Sequence, residues 1–184
     1  YFNKFDKKNV ILFMAFIVVF LFMALRFNYG NDYVGYQDMF NDINNNVSDY
    51  KIGESRTEIG WILLNKLFKP FGFYAMIAFT SLLSCICYYI FIVKFVEKRF
   101  HWLAILIYLF NTNYMLVQLS AMRQSMAIIL FMLSLVTITE RKFVFTAIII
   151  SLAYFFHTSA LLLAPIMLIF VVLKFSKVSK PVII

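Results

Sequence analysis

Arg123 is the only formal charge between Phe100 and Thr139, where it stands in the run AMRQSMAIILF beside Gln124 and Ser125. A charge inside an apolar segment is expensive and implies a partner or a task. A guanidinium presents a planar fork of donors that suits a phosphate. The plainer reading of the same residue is an arginine snorkelling from a hairpin turn. His157 poses a similar choice. It lies in the polar cluster His157-Thr158-Ser159 near the middle of the apolar run Phe143–Leu173. It is either a hydrogen-bonding residue at a helix end or an acid–base group. Arg26 flanks an apolar run, where arginines are routine. The remaining chemistry is concentrated in the stretch 26–60, which holds Asp32, Asp38, Asp42, Asp49, Glu54 and Glu58, six of the nine carboxylates. A long polar, acidic and aromatic loop in an otherwise apolar chain is where its work is expected.

The elements that must position these groups follow from composition. The chain is 63% hydrophobic and 14% charged, with a mean hydropathy of +0.84. Soluble domains lie nearer half apolar and a quarter charged. The sequence predicts an integral membrane protein, an all-α polytopic transmembrane bundle forming a single membrane domain over 1–184. Apolar runs give a span over 10–25, an extracytoplasmic loop over 26–70, and a full span over 71–93. The runs 100–139 and 143–173 are too long for one pass each and read as two hairpins, making about six passes for a ~30 Å hydrocarbon core. The apex of the second hairpin is expected at membrane depth, facing a cavity. Ile59, Ile62, Leu63 and Leu67, spaced with Lys66, predict an amphipathic helix over 58–69, flat on the membrane or re-entrant, ending at Pro70 and Gly72. Cys85 and Cys87 lie mid-span and read as small core residues. The chain begins at Tyr1 and ends on Val182-Ile183-Ile184. This leads to the expectation of a fragment of a longer protein.

The net charge of +8 does not imply nucleic acid, because the basic residues sort by side. The lead (Lys4, Lys7, Lys8), the turns at Lys94, Lys98 and Arg99 and at Arg141 and Lys142, and the tail (Lys174, Lys177, Lys180) fall on one face. The positive-inside rule makes that face cytoplasmic. Arg26, the acidic loop, Arg123 and His157 then share the extracytoplasmic side.

Four motifs in order, LRFNYGNDYVGYQDMF, TEIGWILLNKLF, MRQSMAIILF and FHTSALLLAP, resemble the EpsG-like family of bacterial polysaccharide polymerases. That family's pattern reads approximately R-x-x-x-G-x-D-Y-x-x-Y, then E-P-G-F, R-Q-x-x-A and F-H-x-(S/T)-A. Arg26, Gly30, Asp32, Tyr33 and Tyr36 fall on the first block, Glu58 and Gly60 on the second. Arg123, Gln124 and Ala127 fall on the third, and Phe156, His157, Ser159 and Ala160 on the fourth. Ile59 stands where the family has proline, and Trp61 where it has phenylalanine or tyrosine. Neither departure touches an ionisable residue.

The resemblance implies a glycosyltransferase-type polymerase in the bacterial cytoplasmic membrane. It would join undecaprenyl-pyrophosphate-linked oligosaccharide repeats into exopolysaccharide or capsule at the outer face, alongside other polysaccharide-assembly membrane proteins. On that reading Asp32, Glu58 and His157 are the candidates for activating an acceptor hydroxyl, with the choice among them open. Arg123 and Arg26 are the cations available to a pyrophosphate, with Gln124 beside the first. Tyr33, Tyr36 and Trp61 offer apolar plates with polar edges to a sugar. No nucleotide-sugar motif, phosphate loop or HExxH is present, and neither a cofactor nor a metal is expected. The alternative of another class is a polysaccharide flippase or solute transporter with charges around a midplane site. It is disfavoured by the clustering of charge at one face.

Overall fold

The computed structural model describes residues 7–43, 58–111, 114–163, 165 and 169, and every regular element among them is helical. In chain order these are α1 (Lys7–Ala24), α2 (Tyr33–Asp42), α3 (Ile59–Phe68), α4 (Phe73–Phe95), a 3-10 turn over Lys98–Phe100, α5 (His101–Phe110), α6 (Met115–Ser120), α7 (Met122–Thr139) and α8 (Phe143–Phe156), followed by a 3-10 turn over Thr158–Leu163. α4 and α7 form the spine. α1 packs along α4, α8 along α7, and α3 bridges the start of α4 to α8.

The helices are apolar on both faces. α1 buries Leu12, Phe16, Val19 and Met23 at helical spacing yet exposes Ile11, Val18 and Phe22, the first at 69%. α8 likewise turns Val144, Phe145 and Ile148 outward. A helix that is hydrophobic all round needs an apolar surrounding. The polar residues go inward instead. Ser84, Ser125 and Ser134 donate to carbonyls of their own helices, and Thr137 and Thr146 share a 2.8 Å bond between α7 and α8. Ala127, Ala153 and Ala160 pack together where α7, α8 and the 3-10 turn meet. Small side chains and hydroxyls are the usual adhesive between helices in lipid. Cys85 and Cys87 are buried and free on α4.

Among the described residues two helices, α4 and α7, are long and apolar enough to cross a membrane, whereas the apolar parts of α1, α3 and α8 are shorter. The run 100–139 is not two matched arms. Its first arm is broken into α5 and α6, with Asn111 leaving the helix at φ −83°, ψ 119°. The second hairpin shows one arm, α8, and a turn at His157, where the backbone is extended (φ −159°, ψ 123°). Its return arm lies almost wholly outside the described residues. Part of the predicted loop is helical. Tyr33, Tyr36 and Phe40 recur at helical spacing and are the buried face of α2, while residues 44–57 lie outside the description.

α3 occupies the range predicted for an amphipathic helix. Gly60, Trp61, Ile62, Leu64 and Asn65 face inward, and Ile59, Leu63 and Leu67 face outward at 43%, 57% and 62% exposure. Packing decides this orientation. A Cβ on Gly60 would lie 2.7 Å from the Phe155 carbonyl oxygen, so the bare face of the helix is the one that can meet α8.

α7 has 18 residues and so spans about 27 Å at 1.5 Å per residue. Arg123 is in its first turn. At its far end Glu140 accepts from Lys94 of α4 at 2.9 Å and from Lys142 at 2.8 Å. Lys142 and Lys94 together hold that carboxyl down to about 2. The basic turns therefore gather at the end of the bundle opposite Arg123. At the Arg123 end, Gly30 fits the chain against α6. Its φ is +114°, and a Cβ would collide with the Leu119 carbonyl oxygen. Gly30→Ala should destabilise the fold by at least about 1–3 kcal/mol from backbone strain alone, read as a lowered midpoint of thermal unfolding in detergent. An unchanged midpoint would mean that the loop does not dock on α6 as described.

Candidate active site

Three residues far apart in sequence meet through one carboxylate. Glu58 precedes α3 with an extended backbone (φ −69°, ψ 140°). Its Oε2 accepts from Arg123 Nη1 at 2.7 Å, and its Oε1 accepts from His157 Nδ1 at 2.8 Å. The helices dictate the meeting. Gly60 in the first turn of α3 lies against the Phe155 backbone in the last turn of α8. Glu58 sits two residues before Gly60 and His157 two residues after Phe155, so the same close approach joins both pairs. Arg123 enters from the first turn of α7.

Tyr36 and Trp61 back this cluster. Their rings lie 5.1 Å apart, and the Arg123 guanidinium carbon sits 5.8 Å from the centre of the Tyr36 ring. α2, which carries Tyr36, is held at its other end by Lys69, whose Nζ donates to the Phe40 and Asn41 carbonyls at 2.6 and 2.9 Å. A cation at the C-terminal carbonyls of a helix is favourably placed.

Burial divides the labour. The Glu58 side chain is 10% exposed, whereas those of Arg123 and His157 are 28% and 29% exposed. The carboxylate lies behind the other two. Burial opposes its ionisation, but its own backbone N–H, the His157 hydrogen bond and the Arg123 charge outweigh burial and hold its pKa below the ordinary glutamate value. An ionised Glu58 can only accept, so His157 Nδ1 must donate to it. When the ring is neutral this leaves Nε2 as a free acceptor.

The other residues singled out in sequence lie elsewhere. Asp32 is exposed at the N-cap of α2 and makes no side-chain hydrogen bond among the described residues. Gln124 is exposed beside Arg123. Tyr33 is 1% and Trp61 0% exposed, so both pack the core and neither presents an open face. Arg26 is 7% exposed and donates through Nη1 to the Gln118 carbonyl at 3.2 Å, in the last turn of α6. Sequence reasoning passed over Gln118, which also accepts from the Tyr108 hydroxyl at 2.7 Å. Its signal was a lone amide in the apolar run MLVQLS. Lys69, at the end of the helix predicted over 58–69, was passed over because its partners are backbone carbonyls of α2, which no side-chain pattern marks.

Residues 9–184 match the EpsG family. The chain belongs to that family. No curated protein and no solved structure matches it. Membership covers nearly the whole chain and, with the apolar helices, makes this a membrane protein of polysaccharide biosynthesis. Of the four EpsG-like motifs, the second, third and fourth supply Glu58, Arg123 and His157, which the fold brings together. The first supplies Tyr36 behind them and Gly30, which packs against α6.

The Glu58 geometry has a consequence in acid. Because its folded pKa is depressed, its stabilisation is complete above the unfolded value, roughly 4.3. It is lost as pH falls through the lower folded value. Glu58→Gln should therefore lower thermal stability near neutral pH and lose less on acidification than the unsubstituted protein. Parallel stability–pH curves for the two would show that the carboxylate is not held by Arg123 and His157.

Proposed function

We propose that this EpsG-family chain polymerises lipid-linked oligosaccharide repeat units by glycosyl transfer at the outer face of the cytoplasmic membrane, within a multi-pass bundle. The observation that carries the reading is the Glu58 carboxylate held between His157 and Arg123 at the end of the bundle away from the basic turns. By the positive-inside rule that end is extracytoplasmic.

The roles follow from the hydrogen bonds. His157 is the general base: Glu58 fixes Nδ1–H, and Nε2 takes the proton of the acceptor sugar hydroxyl as its oxygen attacks the anomeric carbon. Glu58 is a positioning residue that also stabilises the imidazolium formed. The bond from the anomeric carbon to the pyrophosphate oxygen breaks, and the leaving polyprenyl pyrophosphate keeps the electron pair. Arg123, partly exposed and oriented by Glu58, offers its positive charge to that developing charge. The substrate is an undecaprenyl-pyrophosphate-linked repeat on the family reading, and its pyrophosphate needs no nucleotide site.

The test is the length distribution of glycan made by variants of the full-length protein. His157→Gln should lower the rate of repeat addition by roughly 10²–10⁴-fold, the usual contribution of a general base. Arg123→Ala should leave glycan one repeat long, and Arg123→Lys should keep part of the activity because it retains charge but loses the fork. Asp32→Asn should be mild. Long glycan from His157→Gln, with Asp32→Asn inactive, would move the base to α2 and overturn this assignment.

A further inference from the structure

A cavity of about 240 Å³ opens at the end of the bundle opposite Glu58, between the first turns of α1 and the start of α5. Its walls are of two kinds. Ile11, Ile105 and Trp102 are apolar, and Lys98, Arg99 and His101 are basic or polar. Apolar wall beside a cationic rim fits a molecule with acyl chains and an anionic head. Trp102 is 63% exposed, as tryptophans at the membrane–water boundary commonly are.

His101 also lines the cavity. It is 4% exposed, and its Nε2 lies 3.2 Å from the Val96 carbonyl oxygen, which fixes the ring at the start of α5. Arg99 is bound only loosely. Its Nε pairs with Glu97 at 2.7 Å, but both side chains are 68% exposed, and such pairs contribute little. A phosphodiester can compete for that guanidinium.

We infer that this cavity binds the head group of an anionic phospholipid of the phosphatidylglycerol class. The phosphodiester sits at Lys98 and Arg99, and the acyl chains run along Ile11, Ile105 and Trp102. The lipid would fasten α1 to α5 at the face where the positive-inside rule puts the cytoplasm. The inference does not rest on the polymerase reading and would survive its failure.

The chain's two tryptophans make a direct test, because Trp61 is 0% exposed and Trp102 lies at the cavity. The protein is reconstituted in phosphatidylcholine vesicles containing acyl-brominated phosphatidylglycerol or acyl-brominated phosphatidylcholine, and quenching of tryptophan emission is compared. The glycerol lipid should be preferred about fivefold, the effect of roughly one cation near the surface. Lys98→Ala with Arg99→Ala should bring the ratio to near one, as should Ile11→Phe, which narrows the cavity without touching charge. Arg141→Ala removes a cation outside the cavity and should leave the preference intact. Soluble glycerol phosphate should not compete, since it has no chains for the apolar wall. A ratio near one in the unsubstituted protein, a ratio indifferent to loss of Lys98 and Arg99, or full competition by glycerol phosphate would each overturn the lipid site.

Discussion

The arrangement depends on a single carboxylate that cannot be left alone. Glu58 is nearly buried at the inner edge of an apolar bundle, where an unpaired charge would cost several kcal/mol. Its two oxygens are taken by Arg123 from α7 and His157 from the end of α8. The carboxylate therefore helps fix the relative position of three segments that otherwise meet through apolar contact, small side chains and the Thr137–Thr146 hydrogen bond. Removing either partner leaves one oxygen of the nearly buried carboxylate without its donor.

The charge pair alone could not assemble this site. α3 reaches α8 only because Gly60 has no side chain, and α7 approaches α8 through Ala127 and Ala153. In lipid there is little hydrophobic drive between helices, so close backbone approach and hydrogen bonds supply the association. Lys69 then pins the C-terminal end of α2, the helix that holds Tyr36 against Arg123. Structure and chemistry share these parts. The glycine that permits packing also sets the distance between carboxylate and imidazole.

Much of the site was legible because ionisable residues are rare in so apolar a chain. Arg123 and His157 each stand alone in long uncharged runs, and such residues default to function. The motif order pointed to the EpsG family, to which the chain belongs. The helical class followed from hydropathy, since backbone groups in lipid must be satisfied within the segment. Other features were hidden for physical reasons. α2 was read as loop because its composition is polar, although Tyr33, Tyr36 and Phe40 carry a helical period. The inward face of α3 carried no sequence mark, because amphipathicity presumes water outside. Here Leu63 and Leu67 face outward and Asn65 inward, bonded to the Trp61 carbonyl at 2.7 Å. The break between α5 and α6 was invisible because hydropathy registers burial and not helix continuity. The pairing of Glu58 with His157 joins residues 99 apart, a contact that no local spacing encodes.

The central claim is that Glu58 and His157 act as one catalytic unit, with the imidazole as base and the carboxylate behind it. A double-mutant cycle on the rate of repeat addition tests this most directly, using Glu58→Gln, His157→Gln and the double variant of the full-length protein with membrane abundance matched. Residues that work as a unit are strongly non-additive. The account predicts that the double variant is no slower than His157→Gln alone, within about threefold, because Glu58 has nothing left to orient once the imidazole is gone. A double variant whose loss equals the product of the two single losses would contradict it, and would mean that the carboxylate and the imidazole act on the substrate independently.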